Sequence, residues 1–242
     1  MTSKNKKIFY IWQTKTTDMT NFYCKFLLIS AFIFTSNLGF CQSSQISIKF
    51  IGNCGLYLTD GNSNFYFDFP YKSGAYKYME YDNIEIDSIK NNAIFIFTHR
   101  HADHYSKKIV KKLTGQKFGP WNVSKLERLA DTIPDFNIKA FKTQHKVFGI
   151  SFKHYSYLIT WHGKKIYISG DTGDMEDLSK INDIDWAFVN PWLYMNFLDE
   201  KVKIDANKIG MYHLYPNQKI DGKIPERLQI LKNQGEIITV PY

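Results

Sequence analysis

The stretch Ala93–His104 reads AIFIFTHRHADH and joins a run of five apolar residues to a cluster of three histidines and one aspartate. The apolar run is typical of a central strand that is buried on both faces. Because residues i and i+2 of an extended chain point the same way, His99 and His101 can converge on one ion at about 2.0–2.1 Å. Buried polar side chains cost free energy unless they are paired, so this density of ligands indicates a metal site rather than a packing role.

Other candidate ligands lie nearby and at the ends of later segments. Asp103 and His104 stand where the chain leaves the strand, in position to serve a second ion. Asp171 follows the apolar segment IYIS in a glycine-flanked turn, which suits a carboxylate that bridges two ions. His145 precedes a predicted hairpin, and His213 lies near the carboxyl end. The sequence therefore predicts a binuclear centre assembled from distant segments.

The motif HRHADH, the later single histidine, the turn SGDTG and a late histidine together resemble the metallo-β-lactamase superfamily, whose signature is His-x-His-x-Asp-His. The resemblance extends from about Ile46 to Val240. It implies an α/β fold of the α+β kind, a four-layered αββα sandwich with a binuclear site at one edge. By motif position it implies one ion held by His99, His101 and His145, another held by Asp103, His104 and His213, and Asp171 as the bridge.

The same resemblance implies roles for further residues. Asp103 is expected to be catalytic, since the family assigns to this position the orientation of the attacking hydroxide. Asp68 matches the family's buried aspartate near the site and is expected to orient a ligand, with a strand-end turn cap as the alternative. His145 is favoured as the third histidine of the first ion because it precedes the strand–turn–strand unit that ends in the GD turn. His154, which lies inside that unit, stays open as the alternative.

Two divalent ions are the implied cofactors, with zinc expected and manganese or iron as alternatives. Such a centre lowers the pKa of a bound water from roughly 15.7 to about 7, so we expect hydrolysis of an ester, lactone or phosphodiester bond. The segments IGNCGLYLTDG, FDFPY and HGKKIYISGDTG resemble the branch with lactonase-like hydrolases and N-acylphosphatidylethanolamine phospholipases, which implies a small-molecule or lipid-like substrate. A nuclease-type phosphodiesterase of the same superfamily and a non-catalytic metal-binding protein that keeps the fold are the alternatives.

The charge of the chain does not indicate a nucleic-acid partner. The 242 residues carry a formal net charge of +8, but five lysines and only one acidic residue lie within residues 1–41. The remainder has 26 basic and 22 acidic residues, a net charge of only +4. This is an ordinary protein surface, and we expect no nucleic-acid partner.

Residues 1–41 are predicted to be a signal peptide, and 42–242 the hydrolase domain. Phe26–Phe34 reads FLLISAFIF, which fits the apolar region of an export signal and is too short for a membrane helix of about 20 residues. The preceding stretch is long, so Met19 is a possible true start. We expect cleavage before Gln42 and export to the periplasm or the exterior, with no transmembrane span after removal of the signal.

The chain has three cysteines, Cys24, Cys41 and Cys54, and the last two bear on this prediction. Lipoprotein anchoring at Cys41 is the alternative to simple cleavage, and the bulky Phe40 before it disfavours that alternative. Removal of the segment leaves Cys54 as the sole cysteine of the mature chain. We expect Cys54 to be a lone buried thiol without a catalytic role.

The remaining patterns predict two series of strands that form two sheets packed face to face, with helices between and after them. Trp192 and Tyr194 lie in the segment NPWLYMN, which is expected to be a loop whose aromatic rings either line an apolar pocket or belong to the core. Helices are expected at Ser106–Leu113, at Ser124–Ala130 with Ser124 as its cap, and at Pro225–Asn233.

Overall fold

The computed structural model describes residues 44–147, 149–220 and 222–242. The predicted signal peptide, its cleavage site and the possible start at Met19 therefore lie outside the described residues. The strands are β1 (Gln45–Gly52), β2 (Gly55–Thr59), β3 (Asn64–Phe67), β4 (Ala93–Ile96), β5 (Gln116–Phe118), β6 (Phe136–Thr143), β7 (Lys146–Val147), β8 (Ile150–Ser151), β9 (His154–Trp161), β10 (Lys164–Ile168), β11 (Ile184–Val189), β12 (Ala206–Met211), β13 (Leu228–Ile230) and β14 (Ile237–Pro241). The α-helices are α1 (Ile84–Asp87), α2 (Lys107–Val110), α3 (Val123–Glu127) and α4 (Pro191–Asp199).

Twelve of the strands form two six-stranded mixed sheets. Sheet one has the order β14-β1-β2-β3-β4-β5, antiparallel from β14 to β3 and parallel from β3 to β5. Sheet two has the order β13-β12-β11-β10-β9-β6, antiparallel from β6 to β10 and parallel from β10 to β13. Strands β7 and β8 form a separate two-stranded ribbon.

The two sheets pack face to face around one apolar core, as the sequence predicts. Phe65 of β3 in sheet one stacks on Phe136 of β6 in sheet two, with ring centroids 4.6 Å apart. Trp161 of β9 meets the Phe65 ring edge-on at 5.1 Å, and its side chain is fully buried. Aromatic pairs in these geometries contribute beyond their buried area, so they help to fix the packing of the sheets.

Short helices cover the outer faces of both sheets. On sheet two, α4 buries Leu193 and Phe197 in a cluster with Val189 of β11. On sheet one, Val110 of α2 packs in a cluster with Phe95 of β4. The layers therefore run helix, sheet, sheet, helix, and the predicted αββα arrangement is confirmed with thin helical layers.

Two of the predicted helices differ from the structure in their bounds. The helix expected at Ser106–Leu113 is only the single turn α2. The helix expected at Ser124–Ala130 begins one residue earlier, as α3, so Ser124 is not its cap; Asn122 precedes the helix instead. Glu127, expected to complete the cap, accepts a hydrogen bond from the backbone of β6. Glu127 therefore contacts a neighbouring strand instead of capping its own helix as the sequence pattern predicts.

Two other local predictions are wrong. The segment Pro225–Asn233 is not a helix, because Leu228–Ile230 pairs as β13 with the open edge of β12 and satisfies its backbone groups. The segment NPWLYMN is not a loop but begins α4. Asn190 caps that helix by accepting a hydrogen bond from the backbone N–H of Leu193 at 2.7 Å, and Pro191 occupies its first turn.

Among the helices of the described residues, none has the length and apolar character needed to cross a bilayer.

Strand β14 provides a matched test of the packing. Ile238 points into the core and is 5% exposed, whereas its neighbour Ile237 points outward and is 64% exposed. We expect Ile238→Ala to lower the free energy of unfolding by about 2–5 kcal/mol, because it leaves a cavity in the core. Ile237→Ala is the control and should change the free energy by no more than about 0.5 kcal/mol. Urea denaturation measures both, and equal losses would contradict the packing described here.

Candidate metal centre

The predicted ligands meet because the strands that precede them end at the same edge. Strands β3 and β4 are parallel, and Asp68 and His99 follow their carboxyl ends. Strands β10 and β12 likewise run in one direction through β11, and Asp171 and His213 follow them. Strand β6 runs the same way as β10, since both are antiparallel to β9, and it leads to His145. The fold thus delivers side chains from both sheets to one edge, where open α/β sheets bind ligands.

One group of four donors comprises three histidines and a carboxylate. One ligand atom from each of its members lies within 4.8 Å of the others: His99, His101, His145 and Asp171. The Nε2 atom of His145 lies 3.2 Å from Nδ1 of His101, and Nε2 of His99 lies 3.6 Å from Oδ2 of Asp171. These are the residues that the sequence predicts for the first ion and its bridge.

A second group shares the Asp171 carboxylate. Its Oδ1 atom lies 2.9 Å from Nε2 of His104 and 3.0 Å from Nε2 of His213, and the two histidine nitrogens are 3.3 Å apart. Oδ2 of Asp103 lies 3.4 Å from Nε2 of His213 and 3.6 Å from Nε2 of His104. The thiol of Cys54 also belongs to this group: its sulfur and one atom each of His104, Asp171 and His213 lie within 4.8 Å of one another. The sequence predicts the other four residues here but not Cys54.

The buried charges of the centre lie on Asp171, His104 and His213, whose pKa values shift strongly. Burial raises the pKa of Asp171, but His104 and His213 lower it more, so its pKa lies well below the ordinary value. Burial also lowers the pKa of both histidines, but the Asp171 carboxylate and the other acidic groups around them together raise it more, to well above the ordinary value. For His99, burial dominates and lowers the pKa far below the ordinary value, which leaves a neutral imidazole. A divalent cation can take the place of the protons beside Asp171, since metal binding releases protons from its ligands.

Unpaired buried atoms test whether the centre fits metal ions. Within the described residues, Nε2 of His99 and Oδ1 of Asp171 are buried without a hydrogen-bond partner, and both face other donors of the centre. Such atoms are costly in a folded protein unless something binds them. Imidazole and carboxylate donors suit zinc, manganese and iron. The residues therefore fit two divalent ions that share Asp171.

Asp68 stands behind the centre and holds His104. Its Oδ2 accepts hydrogen bonds from Nδ1 of His104 at 2.8 Å and from Oγ1 of Thr98 at 2.7 Å. Its Oδ1 accepts a third from the backbone N–H of Thr98 at 2.7 Å. A carboxylate on the outer nitrogen fixes the ring so that its other nitrogen faces the ion, the arrangement found behind metal-binding histidines. Asp68 is thus placed where the sequence predicts it.

His154, the alternative to His145, has a different position. The backbone N–H of Asp171 donates to Nε2 of His154 at 2.9 Å, so Nδ1 carries the proton and donates to Oγ1 of Thr143 at 2.7 Å. Burial lowers the pKa of His154 to about 3, which keeps the ring neutral. Both nitrogens are occupied by the protein, and neither is free for an ion. The geometry favours His145 as the ligand and gives His154 the role of positioning the turn that carries Asp171.

The turn around Asp171 is fixed by two residues that the sequence pattern did not single out as site residues. Gly170 has a φ of 59°, and a Cβ at this position would lie 2.5 Å from Nε2 of His154, so no other residue fits. Nδ2 of Asn190 donates to the carbonyls of Gly170 at 2.7 Å and Thr172 at 2.8 Å. The Asn-Pro pair that starts α4 is a helix-start signal and could have indicated the cap, but not these bonds.

An open cleft of about 900 Å³ lies over the centre. His101, Asp103, His145 and Asp171 line it, and its walls are aromatic: Tyr76, Tyr78, Phe152, Trp192 and Tyr215. Trp192 therefore lines a pocket, whereas Tyr194, its partner in the sequence-based expectation, is buried in the core. The stacked rings of Tyr78 and Tyr215, 4.3 Å apart, are aromatic walls that the sequence did not reveal.

No protein-family model matches the sequence, and no curated protein matches it. Solved structures match the fold. A putative metal-dependent hydrolase from Parabacteroides distasonis has a TM-score of 0.55 and 20% identity, over 78% of this chain and 94% of that one. Igni18, a metallo hydrolase from Ignicoccus hospitalis, has a TM-score of 0.58 and 16% identity, over 82% and 99% of the two chains.

A third structure is named by its fold. The metallo-β-lactamase fold protein YhfI from Bacillus subtilis has a TM-score of 0.56 and 14% identity, over 81% of this chain and 99% of that one. At such identities the likeness concerns the fold, and this chain has the metallo-β-lactamase fold.

Proposed function

We propose that the protein is an exported metal-dependent hydrolase that cleaves an ester, lactone or phosphodiester bond in a small-molecule or lipid-like substrate. The observation that carries the proposal is the shared Asp171 carboxylate. Its two oxygens face separate histidine groups, His99 on one side and His104 with His213 on the other, at the floor of an open cleft.

Two divalent ions bound by these groups would lower the pKa of water to about 7 and polarise the carbonyl or phosphoryl oxygen of the substrate. The protein itself contributes the carboxylate of Asp103 beside the cleft. Burial raises the pKa of Asp103, but His104 and His213 together lower it more, so the net pKa lies below the ordinary value and the group stays ionised. Its Oδ1 has no partner within the described residues and is available to accept a hydrogen bond from an attacking water. We assign Asp103 the orientation of that water.

The walls of the cleft support the substrate class. Five aromatic side chains and the apolar Val147 surround the site, and among the described residues that line it Lys146 is the one cation besides the histidines. Aromatic walls favour a substrate with an apolar or ring-containing portion, whereas a nuclease cleft needs a track of cations along the phosphates. A small or lipid-like substrate therefore fits better than a nucleic acid.

We expect the purified protein to bind two equivalents of zinc, manganese or iron and to hydrolyse at least one of three test substrates: a carboxylic ester, a lactone or bis-nitrophenyl phosphate. His101→Ala or Asp171→Ala should lower the rate of hydrolysis by more than about 100-fold. Substitution of a residue that only supports a metal ligand typically costs up to about 100-fold, and loss of a ligand itself should cost more. Metal analysis and the rate measurements check both statements.

His162→Ala is the matched control for these variants, because His162 pairs with Asp60 at 3.0 Å in the turn after β9, away from the centre. It should keep both metal content and rate. A metal-free His101→Ala protein with full activity would refute the proposal, and two bound metals without hydrolysis of any substrate would favour the non-catalytic alternative.

The positioning role of His154 has its own test. We expect His154→Leu to lower metal affinity by about 10–100-fold, because the backbone N–H of Asp171 loses its acceptor. His154→Gln places an amide oxygen near the position of Nε2 and should restore most of the affinity. Metal titration with a competing chelator measures both variants. Equal affinities of the Leu variant and the unaltered protein would show that the bond does not position Asp171.

Export is part of the proposal and rests on the sequence of residues 1–41. Expression of the full chain in a Gram-negative host should place the protein in the periplasm or the medium. N-terminal sequencing should then begin at Gln42, as signal peptidase cleavage after a small-residue site predicts. A lipid-modified Cys41 at the new terminus would instead establish the anchored form, and an uncut cytoplasmic chain would refute export.

A further inference from the structure

Cys54 lies at the centre rather than in an ordinary part of the core. It stands in the turn between β1 and β2 and is fully buried, as a free thiol. Two hydrogen bonds of the preceding residue tie this turn to the ligand segments. Nδ2 of Asn53 donates to the carbonyl of Asp103 at 2.8 Å, and the carbonyl of Asn53 accepts from the backbone N–H of His213 at 3.0 Å. These bonds hold the thiol beside the second group of donors.

The donor atoms around Cys54 converge on one space. Its sulfur and one ligand atom each of His104, Asp171 and His213 are within 4.8 Å of one another. These are two imidazoles, a carboxylate and a sulfur, a set that zinc binds in proteins. All four side chains are buried.

An independent observation points to a ligand in the same space. Oδ1 of Asp171 is buried and has no hydrogen-bond partner within the described residues, although Nε2 of His104 and Nε2 of His213 lie within 3.0 Å. The two rings are near the oxygen but are not aligned to donate to it. An unpaired buried carboxylate oxygen is costly, and a cation between these atoms removes the cost.

We propose that Cys54 is a ligand of the second metal ion, as a thiolate beside His104, Asp171 and His213. The inference rests on the proposed metal centre and adds a donor to it. On binding, the S–H bond breaks, the sulfur donates an electron pair to the cation, and the proton passes to solvent. Thiolate is a soft ligand, so this site selects zinc or cobalt over manganese, which prefers oxygen donors.

Cobalt-substituted protein gives a test that does not depend on activity. Bound cobalt produces visible d–d bands whatever its ligands, whereas a near-ultraviolet charge-transfer band appears only with a thiolate ligand. We expect both in the full chain and in the Cys24→Ser/Cys41→Ser variant, which retains Cys54 alone. In Cys54→Ser the charge-transfer band should vanish, the d–d bands should remain, and the second cobalt should bind about tenfold more weakly or worse.

Several outcomes would overturn the inference, and they differ from failure of the metal centre itself. Visible bands without a charge-transfer band in the Cys24→Ser/Cys41→Ser variant would show a metal centre that Cys54 does not join. A charge-transfer band that persists in folded Cys54→Ser would assign it to another cysteine. Absence of both kinds of band would overturn the metal centre as well. The spectrum of the Cys24→Ser/Cys41→Ser variant tests the inference even if Cys54→Ser fails to fold, because that variant keeps Cys54.

Discussion

The rest of the centre depends on one buried carboxylate held between two sets of histidines. Asp171 is 7% exposed and stays charged because His104 and His213 offset the cost of its burial. A charge in such surroundings must be paired, and the fold pairs it on both sides. The backbone on which it stands is fixed by His154 and Asn190, so the carboxylate has little freedom to turn away from either set.

Strand direction explains how segments far apart in the sequence reach this carboxylate. Each sheet combines antiparallel and parallel strands, and the strands that precede ligands all end at one edge. The ligand segments are short and follow directly from buried strands, so their positions inherit the rigidity of the sheets. Three residues at the candidate metal centre, Asn53, Asp68 and His213, have φ values between 46° and 60°. Asn, Asp and His tolerate left-handed backbone better than most other residues that carry a side chain, so these residue types suit the sharp turns at the site.

The sequence predicts the features of this arrangement that lie within one segment. It does not predict those that depend on hydrogen bonds or strand pairing between distant segments. The spacing of HRHADH is a property of one segment, and the apolar strand before it is plain in the sequence. The order of segments favours His145 over His154, but it cannot show that the backbone N–H of Asp171 donates to Nε2 of His154 while Nδ1 of that ring meets Thr143. The segment Pro225–Asn233 has helical end signals, yet the open edge of β12 requires a strand partner. Cys54 looked like a core thiol because only the closed fold brings its turn to His213.

The wall of the cleft and the metal centre share the same short segments, which ties substrate binding to the bridging carboxylate. Nε1 of Trp192 donates to the carbonyl of Asp171 at 3.1 Å, while its ring lines the cleft. The ring of Tyr78 meets His213 edge-on at 4.2 Å and stacks on Tyr215. A substrate that displaces the Trp192 ring therefore acts on the turn that carries Asp171, and one that displaces the Tyr78 ring acts on His213. Because remote binding contacts can position a substrate for reaction, these aromatic residues join recognition to the chemistry.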